Sequence, residues 1–229
     1  MKKALLILSV LFISMSYGQE VKQVPQINVS GEGKVKVIPD QATIAVTVET
    51  KGNNAKDVKK QNDEKIEAVL KFIKKMNLAP ADYKTQRVSL NPQYDYEKKK
   101  HSYNATQTIE ILLRDLSKYD ELMEGLVDQG INRIDNVTFQ SSKLAQYQSE
   151  ARKLAMKEAK LKAEDYVSVL GQKVGRAMTI SDNSQTYYPQ PMYAAMKTME
   201  RSDADAPRET LAVGEINITA NVNVSFILE

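Results

Sequence analysis

The sequence predicts an α+β protein of two interleaved subdomains: a ferredoxin-like split β-α-β-β-α-β unit, and a second antiparallel sheet packed on a long Ala-rich helix. Three patterns carry this reading. Residues 42–140 run strand, helix, strand, strand, helix, strand, the order that lays two helices on one face of an antiparallel sheet. Ala151, Ala155, Ala159 and Ala163 form one i,i+4 row in the longest helical stretch, and small side chains let a helix lie close to its partner. The segment GEINITANVNVSFIL alternates Ile216, Ile218, Ala220, Val222, Val224, Phe226 and Leu228 without a miss, the period of a half-buried strand.

In chain order, residues 1–18 read as a secretory signal peptide: Lys2 and Lys3, an apolar run from Ala4 to Ile13, then Ser16-Tyr17-Gly18 ahead of a cleavage point. The run is shorter than the roughly 20 residues a membrane span needs. The expected product is residues 19–229 in the periplasm. INVSGEGKVKVI is a strand in which Gly31 and Gly33 predict a bulge or kink. Pro39-Asp40 turns the chain into ATIAVTVET, with Ala42, Ile44, Val46 and Val48 on one face. Asn53 or Asn54 caps a helix from Ala55 to Met76, whose Val58, Ile66, Val69, Ile73 and Met76 recur at helical spacing. Residues 83–96 and 102–114 form a hairpin, with the basic EKKKH at its tip. Ser117 caps a short helix carrying Tyr119, Leu122, Met123, Leu126 and Val127, and Gly130 stops it. In the strand that follows, Ile134 and Val137 break parity, which places a bulge at Asp135-Asn136 and turns Val137 and Phe139 inward.

Subdomain one thus spans about 42–140. Subdomain two takes about 25–38 plus 143–229 and includes the alanine-rich helix, with Leu154 and Leu161 beside its alanine row, and the strand KVGRAMTI. Between that strand and the last one, Ser184 to Thr210 is rich in Tyr, Pro and Met and has no sustained period, so it reads as an irregular loop.

Composition narrows the chemistry. The chain has 229 residues, 32 basic and 29 acidic side chains, one histidine and no cysteine. Both signs are interleaved, which excludes the basic footprint of a nucleic-acid binder. Without cysteine there is no thiol nucleophile, redox pair or Fe–S ligand, and no lipidated cysteine. A chain of this length buries a core that does not need disulfides.

Several short patterns occur in a fixed order: INVSGEGKV then PDQA, NPQYDY, SYNATQTIEILLRDL, GINRIDNVTF, the alanines ahead of VLGQKVG, and VGEINITANVNVSF. In this order they strongly resemble the SIMPL-domain family, over about residues 25–229. The resemblance implies an α+β fold, no known catalytic activity, and, in some members, ring-like oligomers. Relatives include an immunogenic periplasmic protein and one linked to oxidative-stress defence. Val213-Gly214 stands where members often have Pro-Gly, a departure confined to one turn. The family has no established catalytic residues to carry over.

The residues themselves favour the same non-enzymatic reading. His101 follows three lysines at a hairpin tip, a poor place for a general base. Asp40 and the pair Asp135-Asn136 have turn roles. Gly31–Gly33 lacks the Lys-Ser/Thr ending of a phosphate loop. The sequons at Asn104 and Asn217 follow from strands that put Asn and Thr on an outer face. Met192, Met196 and Met199, near Tyr187, Tyr188 and Tyr193, have the spacing of a short amphipathic helix docking on a partner or a second copy. Methionine thioethers also suit Cu(I). The expectation is a non-enzymatic exported protein, without a cofactor, that acts by self-assembly or partner binding in the cell envelope, with a link to stress defence. The alternative is a periplasmic small-ligand or Cu(I)-binding module that uses the Met segment, or Tyr94, Tyr96 and Tyr103 in a cleft between subdomains.

Overall fold

A computed structural model describes residues 24–96, 99–184 and 211–229. The leader expected at residues 1–18 lies outside the described residues, as does the irregular loop beyond Ser184. The element order is β1 (Gln26–Val37), β2 (Gln41–Gly52), α1 (Ala55–Lys75), β3 (Tyr83–Asp95), β4 (Lys100–Leu113), α2 (Tyr119–Asp128), β5 (Arg133–Gln140), α3 (Leu144–Ser168), β6 (Val174–Asp182) and β7 (Ile216–Leu228). Two antiparallel sheets result, one ordered β3-β4-β2-β5 and the other β1-β7-β6. The fold is α+β, and the first sheet has the strand order of the split arrangement.

The alternating apolar face of β2 supplies Ala42, Ile44, Val46 and Val48, and β4 adds Ile109, Ile111 and Leu113, all essentially inaccessible. Helices α1 and α2 cover this face with Val69, Ile73, Leu122 and Leu126. Burying each such side chain contributes about 1.5–3 kcal/mol before chain entropy is counted. The helix α1 starts as its sequence dictates: Asn54 Oδ1 accepts from the amides of Lys56 and Asp57. One buried position breaks the apolar pattern of α1. Asn62 is 3 % exposed, and its Nδ2 donates to Val48 O (3.2 Å), Thr50 Oγ1 (3.3 Å) and Ala105 O (3.4 Å), joining the helix to two strands.

Helix α2 closes at Gly130, whose φ of 107° is readily adopted only by a residue without Cβ. Gly130 N–H donates to Val127 O, and Ile131 N–H to Leu126 O, at 3.0 Å each, the paired bonds of a Schellman close. Two local expectations are corrected here. Asp115, not Ser117, caps the entry: its carboxylate accepts from Ser117 N–H and Oγ–H in a 3-10 turn before α2. Val127 is 55 % exposed and lies outside the core, because the helix rotates it past the sheet.

In the second layer, β1 pairs with β7 through an unbroken register from Gln26↔Ile227 to Val37↔Ile216. The bulge expected at Gly31 and Gly33 is absent, and the two glycines have another cause. A Cβ on Gly31 would lie 2.0 Å from Ala155 O, and one on Gly33 would lie 1.9 Å from Ala151 O. Helix α3 therefore rests its backbone directly on β1, and Ala151, Ala155, Ala159 and Ala163 are each 0 % exposed at the contact. Leu154 and Leu161 point away from it, at 38 % and 60 % exposure. At the outer edge of β1, Glu158 accepts from Glu32 N–H and Lys162 Nζ donates to Ser30 O at 3.2 Å.

The chain crosses between the layers at 38–40 and again at 141–143. Asp40 ties the crossings together by accepting from Ser142 N–H (2.7 Å) and Ser142 Oγ–H (2.5 Å). Burial raises its pKa, but those hydrogen bonds outweigh it and hold the carboxyl below its ordinary value. This is the structural role expected for Asp40. Val213, ahead of β7, packs against the first core.

Candidate functional site

Two surfaces stand out from the scaffold. The first is the arm formed by β3 and β4. The last β2–β4 rung is Gly52↔Tyr103, whereas β3–β4 pairing continues through Tyr94↔His101 to Asp95↔Lys100, so a two-stranded ribbon projects beyond the sheet. At its tip Tyr94 meets Tyr96 edge-on at 5.0 Å, and His101 at 4.8 Å. Tyr103 sits opposite Pro92. The three tyrosines named from the sequence therefore lie on one projecting arm, two of them in ring contact, and not in the cleft between subdomains expected for them. His101 is exposed beside Tyr94, consistent with its place at a hairpin tip.

The strand β3 is also a sheet edge. Val88 is 67 % exposed, Leu90 40 % and Tyr94 42 %, and no described residue caps its outer edge as Glu158 and Lys162 cap β1. Val88 faces across to Gln107, which lines an open groove of about 560 Å³ against Ile66 and Leu70 of α1. A long, exposed apolar edge is a template for another strand.

The second surface is the face of the four-stranded sheet turned away from the helices. One cross-strand row runs over all four strands: Arg87 opposite Thr108, Thr108 opposite Thr47, and Thr47 opposite Arg133. Two bulges create this row. One falls between Thr85 and Arg87 in β3, the other at Asp135 opposite Ala45/Val46, where the sequence predicts it. The second bulge turns Asp135 back over β2 to accept from Thr47 Oγ–H. That bond uses the only hydroxyl hydrogen of Thr47, so Thr108 is the donor in the 2.7 Å Thr108–Thr47 bond. Thr47 is 0 % exposed. Asp135 Oδ1 also accepts from Arg133 Nε at 2.6 Å, and Glu49 lies 3.4 Å from Arg133 Nη1. Hydrogen bonding from Lys51, and then from Asn104, holds the Glu49 carboxyl below its ordinary pKa.

Around the row, Gln86, Ser89, Asn91 and Thr106 complete the lining of an open concavity of about 620 Å³. Ser89 and Thr106 share a hydroxyl–hydroxyl bond of 2.5 Å. Sequence reasoning gave Asp135 a turn role and did not find the row. The alternation of Thr along β2 and β4 was the available signal, but the two arginines come into line only through the bulges.

Among the described residues, no three His, Asp or Glu side chains converge to hold a metal ion. Tyr187, Tyr188, Met192, Tyr193, Met196 and Met199 lie outside the described residues. No described helix is long and apolar enough to cross a membrane.

The fold and its open surfaces define a two-layer α+β scaffold without a recognisable catalytic constellation among the described residues. The chain belongs to the SIMPL family, described as a protein of unknown function, whose model matches residues 27–226. It is 30 % identical over 213 residues to the uncharacterized protein YggE of Escherichia coli K12, covering 92 % of this chain and 86 % of that one. It is 27 % identical over 218 residues to the 26 kDa periplasmic immunogenic protein of Brucella melitensis, covering 91 % and 86 %. The YggE of Edwardsiella ictaluri is 28 % identical over 192 residues, covering 81 % and 80 %.

Proposed function

We propose that this protein is exported by a cleavable leader and acts in the periplasm by association, with copies of itself or with another envelope protein, rather than by catalysis. The supporting observation is the uncapped β3 edge with Val88, Leu90 and Tyr94 exposed along it, in a molecule whose other described charged groups are tied into structural bonds or dispersed over the surface. Added strands bind through main-chain hydrogen bonds and take specificity from alternate side chains, and β3 offers both. A part in stress defence would be exercised through such contacts.

Light scattering and sedimentation of the purified protein test this reading. The wild type is expected to assemble, or to capture an envelope partner. The double variant Val88→Lys, Leu90→Lys is expected to lose that association with its fold intact, since both positions face solvent. Loss on deletion of residues 184–210, with the double variant unaffected, moves the contact to the segment of Tyr187, Tyr188, Met192, Tyr193, Met196 and Met199. A strict monomer at every workable concentration, with no partner retained, refutes the proposal.

A further inference from the structure

We propose that the concave outer face of the four-stranded sheet binds a carboxylated sugar, with Arg87 receiving the carboxylate and the hydroxyl and amide side chains beside it receiving the ring hydroxyls. The inference starts from charge. Around the concavity Lys51, Lys84, Arg87 and Arg133 stand against Glu49, Glu110 and Asp135. Lys51 pairs with Glu49 at 2.9 Å, Lys84 with Glu110 at 2.8 Å, and Arg133 with Asp135 at 2.6 Å. Arg87 makes no ion pair or hydrogen bond among the described residues and is the cation left over. It lines the concavity from β3, while Arg133 lines it from β5. Three strand spacings of about 4.8 Å put the two arginines' backbones about 14 Å apart, a span that one or two sugar rings fill.

The β5 side of the site is held in advance. Arg133 is fixed from below by Asp135 and Glu49, and Asp135 is fixed by Thr47, which is fully buried and bonded in turn to Thr108. Ordering these groups therefore takes little further entropy when a ligand arrives. Both bulges flank the row, and bulges re-aim side chains where a sheet carries a site. The remaining lining offers Gln86, Ser89, Asn91 and Thr106, groups that both donate and accept, which suits hydroxyls better than an apolar ligand. No aromatic ring lines the concavity, so recognition rests on charge and hydrogen bonds.

The test is a titration of the 15N-labelled protein with glucuronate, glucose and acetate, following amide shifts. Glucuronate is expected to move Thr47, Arg87, Thr108 and Arg133 saturably, and glucose and acetate to bind about tenfold more weakly or not at all. Arg87→Gln, at an exposed edge position, is expected to weaken glucuronate about tenfold or more, the loss of one charge-assisted contact. Lys71→Gln, in the groove beside α1, is expected to leave it unchanged. Equal binding of acetate overturns the sugar assignment. The absence of shifts along the row, or wild-type affinity in Arg87→Gln, overturns the site. Association through β3 is read separately by mass and does not enter this result.

Discussion

Gly33→Ala in β1 separates two opposed physical expectations. Neither Gly31 nor Gly33 has positive φ, so alanine can adopt the backbone there. By chain entropy alone, glycine to alanine at such a position stabilises by about 0.4–1 kcal/mol. Packing predicts the reverse. The added methyl carbon falls 1.9 Å from Ala151 O, 2.5 Å from Ala155 N and 2.9 Å from Ala151 C, whereas ordinary contact begins at 3.4 Å. The obstruction is helix backbone, so no rotamer relieves it, and α3 has to rise by about 1.5 Å at that end. A gap of even 0.5–1 Å forfeits about a quarter to a half of each dispersion contact, and overpacking itself costs about 1–3 kcal/mol. The expected loss is about 3 kcal/mol. With a urea slope of about 2 kcal/mol/M, the midpoint falls by about 1.5 M. Urea unfolding followed by circular dichroism measures this, with Asn223→Ala on the solvent face of β7 as the neutral reference. Trimming Ala155 to glycine does not rescue the variant, because the clash is with main-chain atoms. An unchanged or raised midpoint in Gly33→Ala would refute direct backbone contact between α3 and β1.

Further outcomes follow from other contacts. Asn62→Ala is expected to lower stability by about 1–3 kcal/mol in the same assay, since it strips buried partners at Val48, Thr50 and Ala105. Asp82 accepts from Arg114 Nε and Nη2 at 2.8 and 2.7 Å, and those bonds hold its carboxyl below the ordinary 3.8. A depressed folded value means the contribution is complete above 3.8 and disappears as the pH falls through the lower one. The stability of Asp82→Asn should therefore decline less than that of wild type between pH 4 and pH 2 in acid titrations of thermal unfolding. The double variant Glu158→Ala, Lys162→Ala uncaps β1, and is expected to lose under about 1 kcal/mol yet to gain self-association, read by light scattering.

Much of the scaffold was legible because its causes are local. The stripe of Val58, Ile66, Val69 and Ile73 needs only helical period, the alternation in β7 only strand period, and the stop at Gly130 only its own φ. What a local reading of the sequence does not reveal shares one physical origin. Gly31 and Gly33 look like a bulge from their neighbours, but their cause is a helix more than a hundred residues away. Leu154 and Leu161 are as apolar as core residues, and only the docking of α3 through its alanines turns them outward. Asn62 falls on the buried stripe of α1, where polarity alone argues for the surface. The row from Arg87 to Arg133 depends on two register shifts in two strands, information that resides in pairing and not in any single segment.

The three-stranded sheet has a temporal consequence. Its central strand is β7, and β1, the first described strand in the chain, has β7 as its sole sheet neighbour, with Gln26 paired to Ile227. As the polypeptide emerges from its N-terminus, β1 has α3 to rest on but no strand partner until the closing residues arrive, while the 42–140 unit between them already has every strand it needs. A chain interrupted between Gln140 and Ile216 would hold one finished four-stranded sheet and a second layer without its central strand.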